Sequence, residues 1–333
     1  MIAHGIVGRL MQDFILTADG RSHANLLGGS AAYAAVGARL WSDSVAVYAR
    51  IGGNYPETLL AQLARTGIRL DGMRRLESSL DHRRFLAYPS LSERSETHPA
   101  AHYLRTGNPF PKELIDYTPL SDRLGAVDAS SPQGYRPEDL PPSDPVPAAM
   151  HLCPGDYPTH LLLPVKLRER GTRMITLDPA PHTIDREEWD SLRRMVRGLD
   201  AFLPSEEEAR HFFQSSSPDV WEMAEAFAEM GCRFVILKRG HGGQCVWDRD
   251  SRRRWHVPAY PARVRDVTGA GDAFAGGLLV GLATTGDVLE ATLRGNVSAS
   301  IVVEGSGPLY ALDAVPGLVG ARLEALRALV RPF

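Results

Sequence analysis

The chain has 333 residues, 44% hydrophobic and 23% charged, with a net charge of −3, and such a composition belongs to soluble globular proteins. That length accommodates one large α/β domain, and the near-neutral charge gives no electrostatic reason to expect nucleic acid or an anionic membrane as a partner. Cys153, Cys232 and Cys245 are odd in number and form no CxxC pair, which argues against a zinc site or disulfide framework and for a reducing, cytoplasmic setting. No apolar run approaches the roughly 18 residues of a membrane span, and Met1–Gly8 lacks the pattern of a signal peptide. Only Lys112, Lys166 and Lys238 among the 37 basic residues are lysine, a coding bias that makes Lys238 conspicuous.

In chain order, Ile2–Gly8 reads as a short buried strand ending in glycine. Asp13 follows it. In α/β folds the carboxyl ends of strands face ligands, so Asp13 could hold a substrate hydroxyl; a solvated loop carboxylate is the other reading. Phe14–Gly20 looks like a strand running into a turn. Gly28 and Gly29 then open a helix of small residues reaching Leu40, with Tyr33 inside it either facing a ligand or packed in the core. Val45–Asn54 reads as a strand and its exit loop, and Glu57–Thr66 as a helix closed by Gly67.

Arg83–Pro89 and Glu96–Leu104 look like two strands around a polar turn at Ser90–Ser95. With residues 9–27 they suggest a small sheet projecting from the main body, its alternation only loose and its arginines either solvated or in contact with a phosphate. Ala129–Ala148 holds six prolines; because strands and helices resume at once, it reads as an ordered surface loop rather than a linker. Arg173–Pro179 is a strand ending in Asp-Pro, and Ala201–Pro204 is another. Ser205 and Glu206–Glu208 open a helix, a serine cap and acids suited to the helix dipole. Trp221–Met230 is a helix. Phe234–Leu237 is a buried strand leading into the glycine-rich turn Lys238–Gly243, where Lys238 either contacts a phosphate or snorkels from the strand end. Gln244–Trp247 and Trp255–Val257 pair as a hairpin, and Leu289–Glu304 is a helix stopped at Gly305–Pro308.

The most informative stretch is Asp266–Leu279, DVTGAGDAFAGGLL. Gly269 and Gly271 allow a tight loop, and the N–H groups of Gly269, Ala270 and Gly271 at the new helix start form an anion site. A carboxylate there opposes simple phosphate binding but suits a general base beside a phosphoryl group in transfer, which is the role expected of Asp272.

This stretch resembles the C-terminal signature of the PfkB-type, ribokinase-like carbohydrate kinases. Gly28–Leu40 resembles their N-terminal one, with Tyr33 where the family usually has Asn. The resemblance implies a single ribokinase-like α/β domain over 1–333, with a mostly parallel central sheet flanked by helices and a β-lid from segments near 9–27 and 80–105. It implies transfer of the ATP γ-phosphoryl to a hydroxyl of a sugar or neutral polyol; a nucleoside kinase and a catalytically impaired sugar- or nucleotide-binding regulator are the alternatives. Asp13, Gly28, Gly29 and Tyr33 would meet the substrate. Lys238, Gly240, Gly243, Asn296 and Gly307 would meet the nucleotide. Glu208 matches the family's Mg²⁺-linked Glu, with Ser205 in place of Asn; Asp266 and Thr268 match its monovalent-cation position, a K⁺ site. Asn54 stands where relatives often carry Asp. A homodimer through the lid is a further expectation of the resemblance.

Overall fold

Strands β1 (His4–Val7), β2 (Met11–Leu16), β3 (Ser22–Gly28), β4 (Val45–Ile51), β5 (Arg69–Arg75), β6 (Arg83–Ser90), β7 (Glu93–Ser95), β8 (Ala149–Leu152), β9 (Met174–Leu177), β10 (Ala201–Phe202), β11 (Phe234–Lys238), β12 (Gln244–Asp248), β13 (Arg253–Val257) and β14 (Arg331–Pro332) form two sheets. This computed structural model describes residues 3–119, 131–142, 145–180, 189–213 and 219–332.

The large sheet has the order β14-β13-β12-β11-β10-β9-β8-β1-β4-β5. Every pair from β11 to β5 is parallel, and β12, β13 and β14 add on antiparallel. Its central strands are short, apolar and buried throughout because helices cover both faces. Neighbouring residues of β1 serve opposite cores, as a two-residue pleat requires. Ile6 packs with Phe274, Leu278 and Val297 from helices Ala270–Thr285 and Val288–Val302. Val7 belongs to the core on the other face, which also holds Leu163, Phe212 and Phe227 from helices Tyr157–Glu169, Glu206–Phe213 and Val220–Glu229.

The chain leaves β1 for β4 and β5 on one flank and returns to β8 on the other. Crossovers therefore diverge at the carboxyl ends of β1 and β8, where α/β sheets open a crevice. Gly8, Arg9, Cys153 and Gly155 line a small pocket at that point.

The second sheet, β3-β2-β6-β7, is drawn from the segments expected to form a lid. β2 and β6 run parallel with Asp13 opposite Arg84 and Ile15 opposite Leu86. Phe14, Leu16, Phe85 and Ala87 pack with Tyr103 and Leu114, whereas Ile15, Leu86 and Tyr88 pack with Leu26 and Val267. Both faces are covered, which explains why the sequence alternates only loosely.

Four expectations need correction. The strand expected at Glu96–Leu104 does not form: the second strand is β7, Glu93–Ser95, within the expected turn, and Pro99–Thr106 is a helix, started by Pro99 and stopped by Gly107 at φ 68°. The turn is accordingly shorter, at Leu91 and Ser92. Residues 131–140 are no surface loop: Ser131, Gln133, Tyr135 and Arg136 are buried, and Arg136 is clasped by Asp156. Of that expected loop, residues 129–130 and 143–144 lie outside the described residues. Finally, β5 was missed because an edge strand reading RLDGMRR has no apolar run. No helix among the described residues is long and apolar enough to cross a membrane.

Candidate active site

Two helices meet at the site, and glycine decides how closely. A Cβ on Gly37 would lie 2.1 Å from the Ala273 carbonyl oxygen, and one on Gly276 would lie 1.8 Å from that of Ala34. Helices Ser30–Arg39 and Ala270–Thr285 thus cross backbone to backbone. The second begins at Gly269, whose φ of 74° suits glycine. Among the described residues the N–H groups of Gly269, Gly271 and Asp272 have no protein acceptor. That of Ala270 is turned away, donating to the Val267 carbonyl at 3.3 Å. The expected set of Gly269, Ala270 and Gly271 is therefore corrected, because the first turn closes tightly on Val267.

Asp272 sits half-buried in that first turn. Burial raises its pKa above the usual carboxylate range, against the pull of Arg84, Lys238 and Arg94. Lys238, at the carboxyl end of β11, brings its Nζ within 3.5 Å of where a Cβ on Gly271 would stand. It is ion-paired with Asp178, just beyond β9. Burial pushes the Asp178 carboxyl up to about 8, opposed by Lys238 and assisted by Glu208 and Asp272. Burial would lower the Lys238 ammonium, but Asp178, Glu208 and Asp272 outweigh it and raise it. The two shifts share a direction but not a cause: burial raises Asp178, and the surrounding carboxyls raise Lys238.

Glu208 forms a reciprocal cap with Ser205: Glu208 Oε2 accepts from the Ser205 N–H at 2.7 Å, and Ser205 Oγ accepts from the Glu208 N–H at 3.1 Å. The helix-start reading of these two residues is thus realised, while Glu208 remains within the field of Lys238 and Asp178.

The residues expected to meet the substrate behave differently. Asp13 is fully buried, its carboxylate held by Arg84 Nε at 2.9 Å and Nη2 at 2.6 Å. A Cβ on Gly28 would lie 2.0 Å from Asp13 Oδ2, and one on Gly29 would lie 2.3 Å from the Arg9 carbonyl oxygen. The paired glycines make room for protein groups. Tyr33 is fully buried, its ring under Gly269, where a Cβ would be 2.1 Å away. It is a core aromatic supporting the loop and offers no face for stacking, which corrects its assignment as a substrate contact.

On the nucleotide side, Gly240 (φ 53°) is exposed with open space before it, and Gly243 (φ 80°) closes the turn against the Val257 carbonyl. Gly307 (φ 80°) lies beneath Leu26 of the lid. Asn296 is corrected: Oδ1 accepts from the Tyr260 N–H at 3.0 Å, and Nδ2 donates to Gln244 at 2.8 Å and to the Pro258 carbonyl at 2.9 Å. With both ends engaged, it pins the exit of β13 to its helix. Asp266 Oδ1 accepts from the Thr268 N–H at 2.9 Å, while its buried Oδ2 has no partner among the described residues. Thr268 Oγ1 donates to Tyr88 of the lid at 2.9 Å.

One participant was not singled out by the sequence: Asp178, an acid ending a parallel strand before proline. Arg84 reads from the sequence as a solvated lid residue or a phosphate contact; its partner, Asp13, is set by strand register. Asn54 clamps Leu80 at the second lid crossover through both its amide groups, at 2.9 Å each.

The family model of the pfkB family carbohydrate kinases matches residues 165–314. A cytidine kinase from Thermococcus kodakarensis is 26% identical over 293 residues, 87% of this chain and 91% of that one. The fold is similar to a putative ribokinase II from E. coli in complex with ATP and Mg²⁺ (TM-score 0.70, 17% identity, 98% of this chain and 100% of that one). It is also similar to a Burkholderia thailandensis nucleoside kinase in complex with inosine (TM-score 0.69, 18% identity, 98% and 99% covered).

Proposed function

We propose, from the match of residues 165–314 to the pfkB carbohydrate kinase model and from the ribokinase-like fold, that the chain transfers the γ-phosphoryl of ATP to a hydroxyl of a sugar, related neutral polyol or nucleoside. The observation that carries this reading is the convergence at one helix start of three unengaged N–H groups, a carboxylate and the Lys238 ammonium. Asp272 takes the proton of the attacking hydroxyl. Its raised affinity for protons suits a group that must accept one. The N–H groups of Gly269, Gly271 and Asp272 donate to the oxygens of the moving phosphoryl group, where negative charge is fixed by dipoles already in place. Lys238, oriented by Asp178, supplies a positive charge to the same oxygens. Gly240 leaves room for the nucleotide beside it.

Among the described residues no three acidic, His or Cys side chains gather into a metal cage, so the Mg²⁺ of this reading is one carried by the nucleotide phosphates. Glu208 keeps one carboxylate oxygen beyond its cap and would hold a water of that ion, which neutralises phosphate charge. A Mg²⁺ titration of Glu208→Gln that superimposes on wild type reduces Glu208 to a cap. Asp266 fits a monovalent cation: its orphaned, buried Oδ2 is an anionic oxygen in need of one, with Thr268 adjacent. Such an ion, K⁺ in this reading, would steady the loop; identical activity in K⁺ and in tetramethylammonium buffers argues against it.

The test of the main reading is ADP release over a panel of sugars, cyclitols and nucleosides. An acceptor-dependent signal is expected; ATP binding with no turnover of any acceptor would make the chain a binding protein. We place it in the cytoplasm, where its three buried thiols stay reduced; export of a full-length tagged chain would contradict that. A homodimer is assigned to the lid, where Leu91 and Leu104 are 51% and 84% exposed. Light scattering showing a monomer that Leu104→Glu leaves unchanged removes it.

A further inference from the structure

We propose that Arg84 is the residue that grips the acceptor, that Asp13 acts through it as a positioning residue, and that the acceptor is an uncharged polyhydroxyl compound presenting an oxygen next to the hydroxyl being phosphorylated. The proposal rests on the kinase reading above.

The geometry starts with burial. Asp13 is 0% exposed, and both its oxygens are covered by Arg84, whose side chain is 16% exposed. A ligand in the cleft therefore meets the guanidinium before the carboxylate. The two residues are directly opposite in neighbouring parallel strands, so a single bidentate pair fixes the guanidinium plane. Gly28 makes this pairing sterically feasible, since any Cβ there would collide with the Asp13 carboxylate. Nε and Nη2 are engaged, and among the described residues Nη1 has no protein acceptor. Its two hydrogens are an oriented donor pair.

The direction follows from the pleat. Arg84, Leu86 and Tyr88 lie on the same face of β6, and Leu86 and Tyr88 pack on Val267, two residues before Gly269. That face looks onto the loop that carries Asp272. Arg84 is also the strongest opposing charge that Asp272 feels, ahead of Lys238, Arg94 and Asp13. An acceptor hydroxyl held at Asp272 thus brings its neighbouring oxygen toward Arg84.

The charge balance selects the acceptor. Asp13 already neutralises Arg84, and Asp272 adds a negative charge alongside. A phosphate or carboxylate at Nη1 would find no net positive charge there, whereas a hydroxyl or ring oxygen needs only a donor. Arg94, the other lid cation near Asp272, is exposed and 3.4 Å from Glu96. It is the group that an anionic acceptor would use instead.

Arg84→Met alone would strand a buried carboxylate and could unfold the lid. The double variant Asp13→Asn/Arg84→Gln keeps an uncharged, hydrogen-bonded pair and is the variant to compare with wild type. The expected result is a rise of roughly 10- to 100-fold in acceptor KM, the scale of one charged hydrogen bond, with the KM for ATP and the melting temperature little changed. A monodeoxy acceptor lacking the neighbouring hydroxyl should lose about 10-fold in kcat/KM on wild type and nothing further on the double variant. The acid limb of kcat should move to higher pH, because removing Arg84 outweighs removing Asp13, the weaker and opposite influence on Asp272. An active double variant with wild-type acceptor KM overturns this assignment and leaves the kinase reading intact. So does a wild-type preference for phosphorylated or carboxylated acceptors, which points to Arg94. A wild-type protein that turns over none of the panel ends the kinase reading and this inference together.

Discussion

The loop at Asp266–Asp272 and the lid formed by β2, β3, β6 and β7 face each other across the cleft, and they are built by different means. The loop is made from consecutive residues: a positive φ at Gly269, unengaged N–H groups and a first-turn carboxylate. The lid is made from pairs distant in sequence: Asp13 with Arg84, Tyr88 with Thr268, Asn54 with Leu80. Backbone geometry sets the donors and the carboxylate on one side, and strand register sets which side chains pair on the other. Changes in the loop should therefore strike turnover, and changes in the lid should strike acceptor affinity or closure.

Asp272→Asn gives the largest expected effect. It keeps the loop's shape and removes the base, so kcat should fall by about 10²-fold or more while ATP affinity persists. Single-turnover measurement isolates the chemical step; a variant retaining most of that rate would detach the loop from catalysis. Lys238→Met should come next, lowering kcat/KM for ATP by roughly 10-fold through loss of a charged donor to phosphate, with acceptor KM unchanged. If acceptor KM moves and ATP does not, Lys238 belongs with the lid.

The lid predictions are smaller. Asn54→Ala removes two hydrogen bonds that hold the crossover at Leu80, a loss of about 1–2 kcal/mol in stability. Denaturant titration reads it directly, and an unchanged midpoint would mean that His82, which accepts from the Gly52 N–H at 2.9 Å, holds the crossover alone. Tyr88→Phe leaves Thr268 without its lid partner and should weaken stability by ~1 kcal/mol, with a modest rise in acceptor KM. A change in kcat equal to that of Asp272→Asn would erase the contrast between the two regions.

Much of the fold was legible because parallel strands buried on both faces read as short apolar runs. β1, β9 and β11 announce themselves this way, and so does the helix after Gly269. β5 did not, because an edge strand can be polar and still pair. Pro99–Thr106 was misread since its short run sits among lid strands, and only its packing of Tyr103 under Phe85 shows why a helix belongs there. At the site, Tyr33 and Asn296 carried the right residue types for ligand contact. Tyr33 instead lies fully buried under Gly269, and Asn296 engages both ends of its amide with Tyr260, Gln244 and Pro258.

By itself the sequence determined the loop, its carboxylate and the reaction class they suit, because a tight turn opening a helix is specified by contiguous residues through local dihedral preference and backbone donors. Tertiary structure alone decided that Asp13 lies behind Arg84, that Lys238 is aimed by Asp178 at the loop, and that Tyr33 lies beneath it. Those facts depend on strand register and helix crossing, where side chains from 60 or more residues away compete for one buried site, and no local pattern encodes which of them takes it.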